Sequence, residues 1–523
     1  MGSAVVTVDA SVVNVALPAI ESELGGGLAG QQWTSNAYLV TLGSLLLLGG
    51  SLGDVYGERR VFSLGVIGFG ATSVVCAIAP TIEVLVVGRA LQGVAGALLT
   101  PSALAVIVAT FTREERGRAV GLWVAWGGIG TVLGPLIGGQ LVDAASWRYI
   151  FAINVPLVIA TLFLIARYVP APRPREGDAH IDVIGATLCA VGLAAATFGL
   201  IEQPVLGWSS PAVIGPLVGG VATFAAFIAY EGRARAPMLP LGLFRRRNFA
   251  VGNVETFSMY AGLSLLFFFL VLYLQQVAGY SALEAGLASL PVTIVMFLLS
   301  SRFGALADRV GPRLFMGLGP LVAALGLALL VRLDRDVSYL TDLLPALTIF
   351  ALGLSITVAP LTSTVLADAD ESNAGLASGV NNAIARTAGL IGIAAVGAVV
   401  AAQFGGTVDD RLAGRELSPQ ARAAIAEAKR QPLAPVTLEG VPQAEGVLVS
   451  SAVEEASIGS FRVGMGLAAA LVALGGVLGA VGIQNPRRTV EARTCAGGQI
   501  AGQPHDAAGC PPAPAPAPAS ARA

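Results

Sequence analysis

Two ionisable side chains stand where ionisable side chains are costly. Asp9 lies in the apolar run V-T-V-D-A-S-V-V-N-V-A-L-P, and Arg89 lies in L-V-V-G-R-A-L-Q-G-V-A-G. A charge in such a segment costs several kcal/mol unless it meets a partner, water or a proton. The two are natural partners, and a carboxylate that alternates between pairing and protonation is a proton switch. Arg89, Gln92, Gly93 and Gly96 fall at i, i+3, i+4 and i+7, so they share one helix face, expected to line a central cavity. Glu255 is a second acid in an apolar run, with Arg386 in N-N-A-I-A-R-T-A-G as its expected partner. Either could instead snorkel or form a purely structural pair. Asn14, Asn36, Trp126, Phe257 and Tyr260 could face the same cavity, the aromatics stacking on an aromatic or cationic substrate; packing or interface anchoring is the commoner use of such rings.

The elements that hold these residues must be membrane helices. Of 523 residues 55% are apolar and 12% charged, about half the charge of a soluble domain. The 65 glycines suit helices that approach closely in lipid. A helix needs about 20 apolar residues to cross the hydrocarbon, and fourteen such runs occur. They lie near 4–20, 33–53, 61–80, 83–108, 119–142, 149–169, 181–201, 212–230, 249–274, 284–303, 314–332, 342–366, 376–402 and 457–483. The fold class is therefore all-α and integral to the membrane. Arg59, Arg60, Arg113, Arg116, Arg118, Arg173, Arg175, Arg233, Arg235, Arg245, Arg246, Arg247, Arg309 and Arg313 all fall in alternate connections, whereas 21–32 and 275–283 contain no Lys or Arg. The positive-inside rule then puts both termini in the cytoplasm, although the acidic 367–375 link and the basic residues of 404–456 run against it. The 404–456 link is polar and helix-permissive, a candidate extracytoplasmic cap, and 484–523 is Pro/Ala-rich and expected to be disordered. No basic region precedes the first apolar run, so no cleaved signal peptide is expected.

A repeat fixes the architecture. Gly50, Asp54, Gly57 and Arg59 recur as Gly304, Asp308, Gly311 and Arg313, each 254 residues on. The first copy follows the second span and the second copy follows the tenth, an offset of eight. With Arg60, these residues could form a charge-assisted latch between helix ends that breaks when two halves rock; a plain topogenic arginine cluster would need neither the Asp nor the Gly. The fifth run holds G-I-G-T-V-L-G-P-L-I-G-G, in which Gly130, Gly134 and Gly138 are spaced by four, with Pro135 and Gly139 between and beside them. Glycines permit close helix contact and Pro135 lets the span bend; a generic packing face is the bland alternative.

On these residues the chain resembles the major facilitator superfamily. The loops G-S-L-G-D-V-Y-G-E-R-R and G-A-L-A-D-R-V-G-P-R are similar to that family's conserved loop, with Val55 where it usually has Arg. The D-x-x-x-x-N-V-A-L-P pattern from Asp9 to Pro18, the Arg89 motif and W-R-Y-I-F-A-I-N-V-P from Trp147 resemble its fourteen-span drug:proton antiporters. Eight residues precede Asp9, about 12 Å of helix, a shorter lead than such proteins usually carry. The resemblance implies a six-span bundle (1–170), an inserted pair (171–248) and a second six-span bundle (249–483). The complete glycine–proline pattern of the fifth span implies export rather than uptake.

The expected function is proton-coupled export of amphiphilic drug-like or antibiotic molecules. Export of one metabolite, lipid precursor or amino acid stays open, as, further off, does a membrane receptor or scaffold using 404–456. Catalysis is not expected, because the two histidines, His180 and His505, lie in a loop and a tail with no nucleophile–base arrangement. No cofactor, metal or nucleotide is expected: there is no phosphate-binding glycine loop, and the four cysteines have no metal-ligand spacing. A net charge of −2 without a basic face argues against nucleic acid. The partners are then a small molecule, protons and the bilayer, with the chain acting as a monomer. High Ala, Gly and Arg with little Lys points to a GC-rich bacterium and its plasma membrane.

Overall fold

Apolar runs of this length fold as helices in lipid because only a helix satisfies its own backbone. The computed structural model describes residues 2–111, 115, 130, 133–169, 181–235, 237–367 and 374–485. The helices are α1 (Gly2–Leu24), α2 (Gly27–Tyr56), α3 (Glu58–Ala77), α4 (Ile82–Thr110), α5 (133–144), α6 (Tyr149–Ala152), α7 (Asn154–Tyr168), α8 (Val183–Leu206) and α9 (Pro211–Glu231). They continue as α10 (Arg247–Gln276), α11 (Ala282–Ala288), α12 (Leu290–Val310), α13 (Pro312–Leu330), α14 (Leu344–Ala367), α15 (Ala374–Leu412), α16 (Pro419–Arg430) and α17 (Gln443–Gly482). Among the described residues thirteen segments are long and apolar enough to cross a membrane. The remaining expected span, 119–142, falls largely outside the described residues, with α5 at its end.

The sequence repeat is also a structural one. Gly57 ends α2 with φ 92° and ψ 131°, and Gly311 ends α12 with φ 106° and ψ 146°. A side chain resists that region, so glycine is required at both junctions. Each glycine N–H closes on the carbonyl four residues back, Gly53 at 2.9 Å and Ala307 at 2.7 Å. The packing repeats too: α4 lies against α2 and α3, and α14 lies against α12 and α13. These contacts are intimate because small residues line them; Gly353 of α14, for instance, faces the backbone of Ala323 with no room for a methyl group.

The largest apolar core joins α1, α10, α13, α14, α15 and α17, with Tyr273 and Phe461 stacked at 4.1 Å. Helix α10 is its axis, 72% of its membrane window being buried, against 17% for α9. The inserted α8–α9 pair therefore stands outside the core, packed on α2 and α15. Phe163 and Phe297 are about two-thirds exposed, a placement suited to lipid.

The 404–456 segment is more helical than its polarity suggests. The end of α15 and the start of α17 run past the membrane length, and α16 lies across them on a small core of Phe404, Val408, Ala421, Ala428, Val449 and Val453. Ion pairs Lys429–Asp409 and Arg411–Glu455 tie it together. Helix α17 begins fourteen residues before the expected 457, because no Pro interrupts the run after Pro442 and Gly446 is tolerated within it. Leaving lipid ends the hydropathy signal without ending the helix.

Candidate functional site

The expected Asp9–Arg89 pair forms, between α1 and α4. An Arg89 Nη donates to Asp9 Oδ2 at 2.6 Å, and both residues are 1% exposed. The same nitrogen donates to Gln92 Oε1 at 2.6 Å, and Arg89 Nε donates to the Thr34 carbonyl at 3.1 Å. The other carboxylate oxygen of Asp9 accepts from Gln92 Nε2 at 3.0 Å and Asn154 Nδ2 at 2.9 Å. Both amides also donate to Ser73 Oγ, at 2.9 and 3.3 Å. The guanidinium carbon sits 4.4 Å from the Tyr38 ring centroid. Five helices, α1 to α4 and α7, thus meet in one hydrogen-bonded network around the carboxylate, and truncating either ionised partner would strand the other's charge.

Asn154 and Ser73 were not singled out from the sequence. Asn154 had a signal, a lone amide inside the W-R-Y-I-F-A-I-N-V-P run; Ser73, a hydroxyl that also bonds its own helix at Phe69, had none.

A cavity of about 320 Å³ opens beside this knot. Asn14, Arg89, Pro135, Tyr260 and Arg386 border it, and no acidic residue does so among the described lining residues. The expectation for the rest of the Arg89 face is corrected. Gln92 turns to Asp9 and Ser73, while Gly93 and Gly96 pack on Tyr38 and Leu42 of α2, so only Arg89 reaches the cavity. Asn36 is fully buried with both amide atoms unpartnered, and neither it nor Phe257 borders the cavity. Trp126 lies outside the described residues.

Glu255 and Arg386 do not pair. Glu255 is fully buried, both carboxylate oxygens lack a hydrogen bond, and they face Gly479 of α17. Residues 253, 256 and 260 lie on one side of α10; there Asn253 and Thr256 accept from Asn381 of α15 at 3.0 and 2.8 Å. Position 255 is two residues, about 200°, round the helix from 253, which turns its carboxyl away from Arg386.

The glycine–proline helix does what close-packing residues permit. Gly130 is buried, and Gly134 and Gly138 of α5 lie against Ser11 and Val12 of α1. On its other side α5 meets α11: a methyl at Gly139 would come within 2.6 Å of the Leu283 Cα, and one at Gly286 within 2.6 Å of the Pro135 carbonyl oxygen. Asp143, at the end of α5, accepts from the Ala282 and Leu283 amides at 3.1 and 2.8 Å, capping α11 from the other half of the chain. Gln275 Nε2 donates to the Val15 carbonyl at 2.9 Å at the same end.

The repeated loops lie at the opposite end. Gly50 lies near Pro101, Gly304 near Ala359, and Asp54 and Asp308 are exposed. Arg59 and Arg60 border a shallow groove with Ser63 and Leu64 and make no ion pair with Asp54 in this conformation. Arg313 Nε donates to the Ala480 carbonyl of α17 at 2.6 Å.

Two repeated helical halves, an inserted pair and a largely apolar cavity between the halves with two arginines in its wall define a multi-pass membrane transporter of small molecules. The chain belongs to the Major Facilitator Superfamily, whose family profile matches residues 1–394. It is 37% identical to the puromycin resistance protein pur8 of Streptomyces alboniger over 402 residues, 75% of this chain and 79% of that protein. It is 34% identical to the tetracenomycin C resistance and export protein of Streptomyces glaucescens over 436 residues, 82% of this chain and 80% of that one. Among solved structures, a bacterial homologue of the human lysosomal transporter Spinster, inward-facing and unoccupied, superposes with a TM-score of 0.64 at 17% identity, covering 93% of this chain and 97% of that one; this likeness concerns the fold alone.

Proposed function

We propose that this protein exports amphiphilic, antibiotic-like small molecules from a bacterial cell in exchange for protons, by alternating access between bundles 1–170 and 249–483. The observation that carries the reading is the buried carboxylate of Asp9, held by three side-chain donors, with its arginine forming part of the cavity wall. A proton arriving on Asp9 removes the anion that Arg89 binds and frees the guanidinium for the cavity. Release of that proton restores the pair. The charge that Arg89 presents to the cavity thereby follows the protonation of Asp9, which links proton and substrate at one wall. The names of the two Streptomyces relatives, resistance and export proteins, support the direction and the substrate class. Both termini are assigned to the cytoplasm on the arginine distribution, the repeated Gly–Asp–Gly–Arg loops to a latch at that end, and Glu255 to a second proton site in the other half.

The test is proton movement in inside-out vesicles. Drug addition should dissipate an imposed proton gradient with the wild-type protein and fail to do so with Asp9→Asn, although the variant still inserts. Equal dissipation by Asp9→Asn would remove Asp9 from the coupling. No response of the wild type to puromycin or a tetracenomycin-like polyketide would turn the reading toward one narrow substrate.

A further inference from the structure

The cavity wall is unbalanced in charge. Arg89 spends its charge on Asp9, but Arg386 of α15 has no ion pair or hydrogen bond among the described residues. Its stem packs on Gly43 of α2, at the seam between the halves, and it borders the cavity together with Tyr38 and Tyr260. The wall has no carboxylate among its described residues and so supplies no counter-ion. Asn14 spends its amide oxygen on Ser35 at 3.5 Å, which leaves its amide N–H groups as donors. Leu263, Phe267 and Val271 of α10 and Leu290 of α12 give the same cavity an apolar lining.

We propose that the cavity selects amphiphiles carrying one acidic group, a carboxylate, sulfonate or ionised enol, seated on Arg386, with an aromatic or aliphatic body against the α10 and α12 side. A guanidinium donates to such a group in parallel pairs, and a low-dielectric wall strengthens the contact while repelling cations. Of the aromatic or cationic ligand that the cavity's rings suggest, the proposal keeps the aromatic alternative and drops the cationic one, because Arg386 shares the cavity with Tyr260. This inference rests on the export reading for its biological setting and on the cavity alone for its chemistry.

The experiment titrates the full-length protein in nanodiscs of zwitterionic lipid, with empty nanodiscs subtracted. The probes are anilinonaphthalene sulfonate, the neutral N-phenylnaphthylamine that shares its ring skeleton, and tetraphenylphosphonium as a competing cation. The wild type should bind the sulfonate about tenfold or more tightly than the amine, about 1.4 kcal/mol, and the cation should compete poorly. Arg386→Gln should abolish the preference while leaving the amine within about twofold, and Arg386→Lys should keep part of it. A sulfonate that binds no better than the amine, or fails to bind, overturns the proposal, as does a loss in Arg386→Gln that is equal for both probes. The wild-type comparison decides even where a variant folds poorly. Anion preference without proton exchange in vesicles would strike the export reading and leave this one standing.

Discussion

Gly139 and Gly286 offer a direct handle on the conformational equilibrium, because each is tight against the other half of the chain. A Cβ at Gly286 would lie 2.6 Å from the Pro135 carbonyl oxygen, and one at Gly139 would lie 2.6 Å from Leu283 Cα and 2.7 Å from the Ala282 oxygen. Ordinary carbon contacts begin near 3.4 Å, so each methyl asks α5 and α11 to part by about 0.8 Å. These partners are backbone atoms and cannot swing aside. Overpacking of this kind costs about 1–3 kcal/mol, and the cost falls only on the arrangement in which the two helices touch. Gly286→Ala should shift the population about 5- to 150-fold toward the arrangement open at this end. Spin labels at Ser22→Cys and Glu427→Cys, both exposed on opposite halves, would report it as growth of a longer-distance component; Cys495 and Cys510 are first replaced, Cys76 and Cys189 being buried. Gly353→Ala, tighter still against the Ala323 nitrogen but within one half, should lower thermal stability and leave the distances alone. An unchanged distribution in folded Gly286→Ala, or an equal shift in the Gly353 control, would refute the reasoning.

Two further predictions follow from the buried charges. Arg89→Ala leaves Asp9 with only the Gln92 and Asn154 amides and should destabilise the protein by about 3–5 kcal/mol, read as a fall in melting temperature in detergent; Asp9→Asn/Arg89→Ala should recover part of it, and no recovery would argue against the pair as the source. Glu255→Gln removes a carboxylate that has no hydrogen-bond partner, so the melting temperature should hold or rise while proton exchange in vesicles falls. A marked drop in stability would show that Glu255 is engaged structurally.

What the sequence reveals here is set by what leaves a local trace. Lipid demands long apolar runs, so the thirteen described spans were legible, and the 254-residue repeat announced the matching Gly57 and Gly311 junctions. Asp9 and Arg89 were legible because each is expensive alone. Their other partners were not: Ser73 and Asn154 come from helices whose rotation no periodicity reports. Rotation also explains the Glu255–Arg386 error, since two positions on facing helices can be level in the membrane and still look away from each other. Arg386 was recognisable as an intramembrane cation, but only the assembled wall of the cavity reveals that no described residue there balances it.

The overlong helices α15 and α17 give the molecule a moment arm. At 1.5 Å per residue the 40 residues of α17 span about 60 Å, twice the hydrocarbon thickness, so with its other end at the hydrocarbon edge its Gln443 tip stands about 45 Å from the bilayer midplane. A rotation of about 10° there sweeps that tip through roughly 8 Å. Helix α16 rides on this arm, with the Arg430 carbonyl against Gly27 at the start of α2. A displacement too small to resolve beside the cavity would be written at that contact as the width of a side chain.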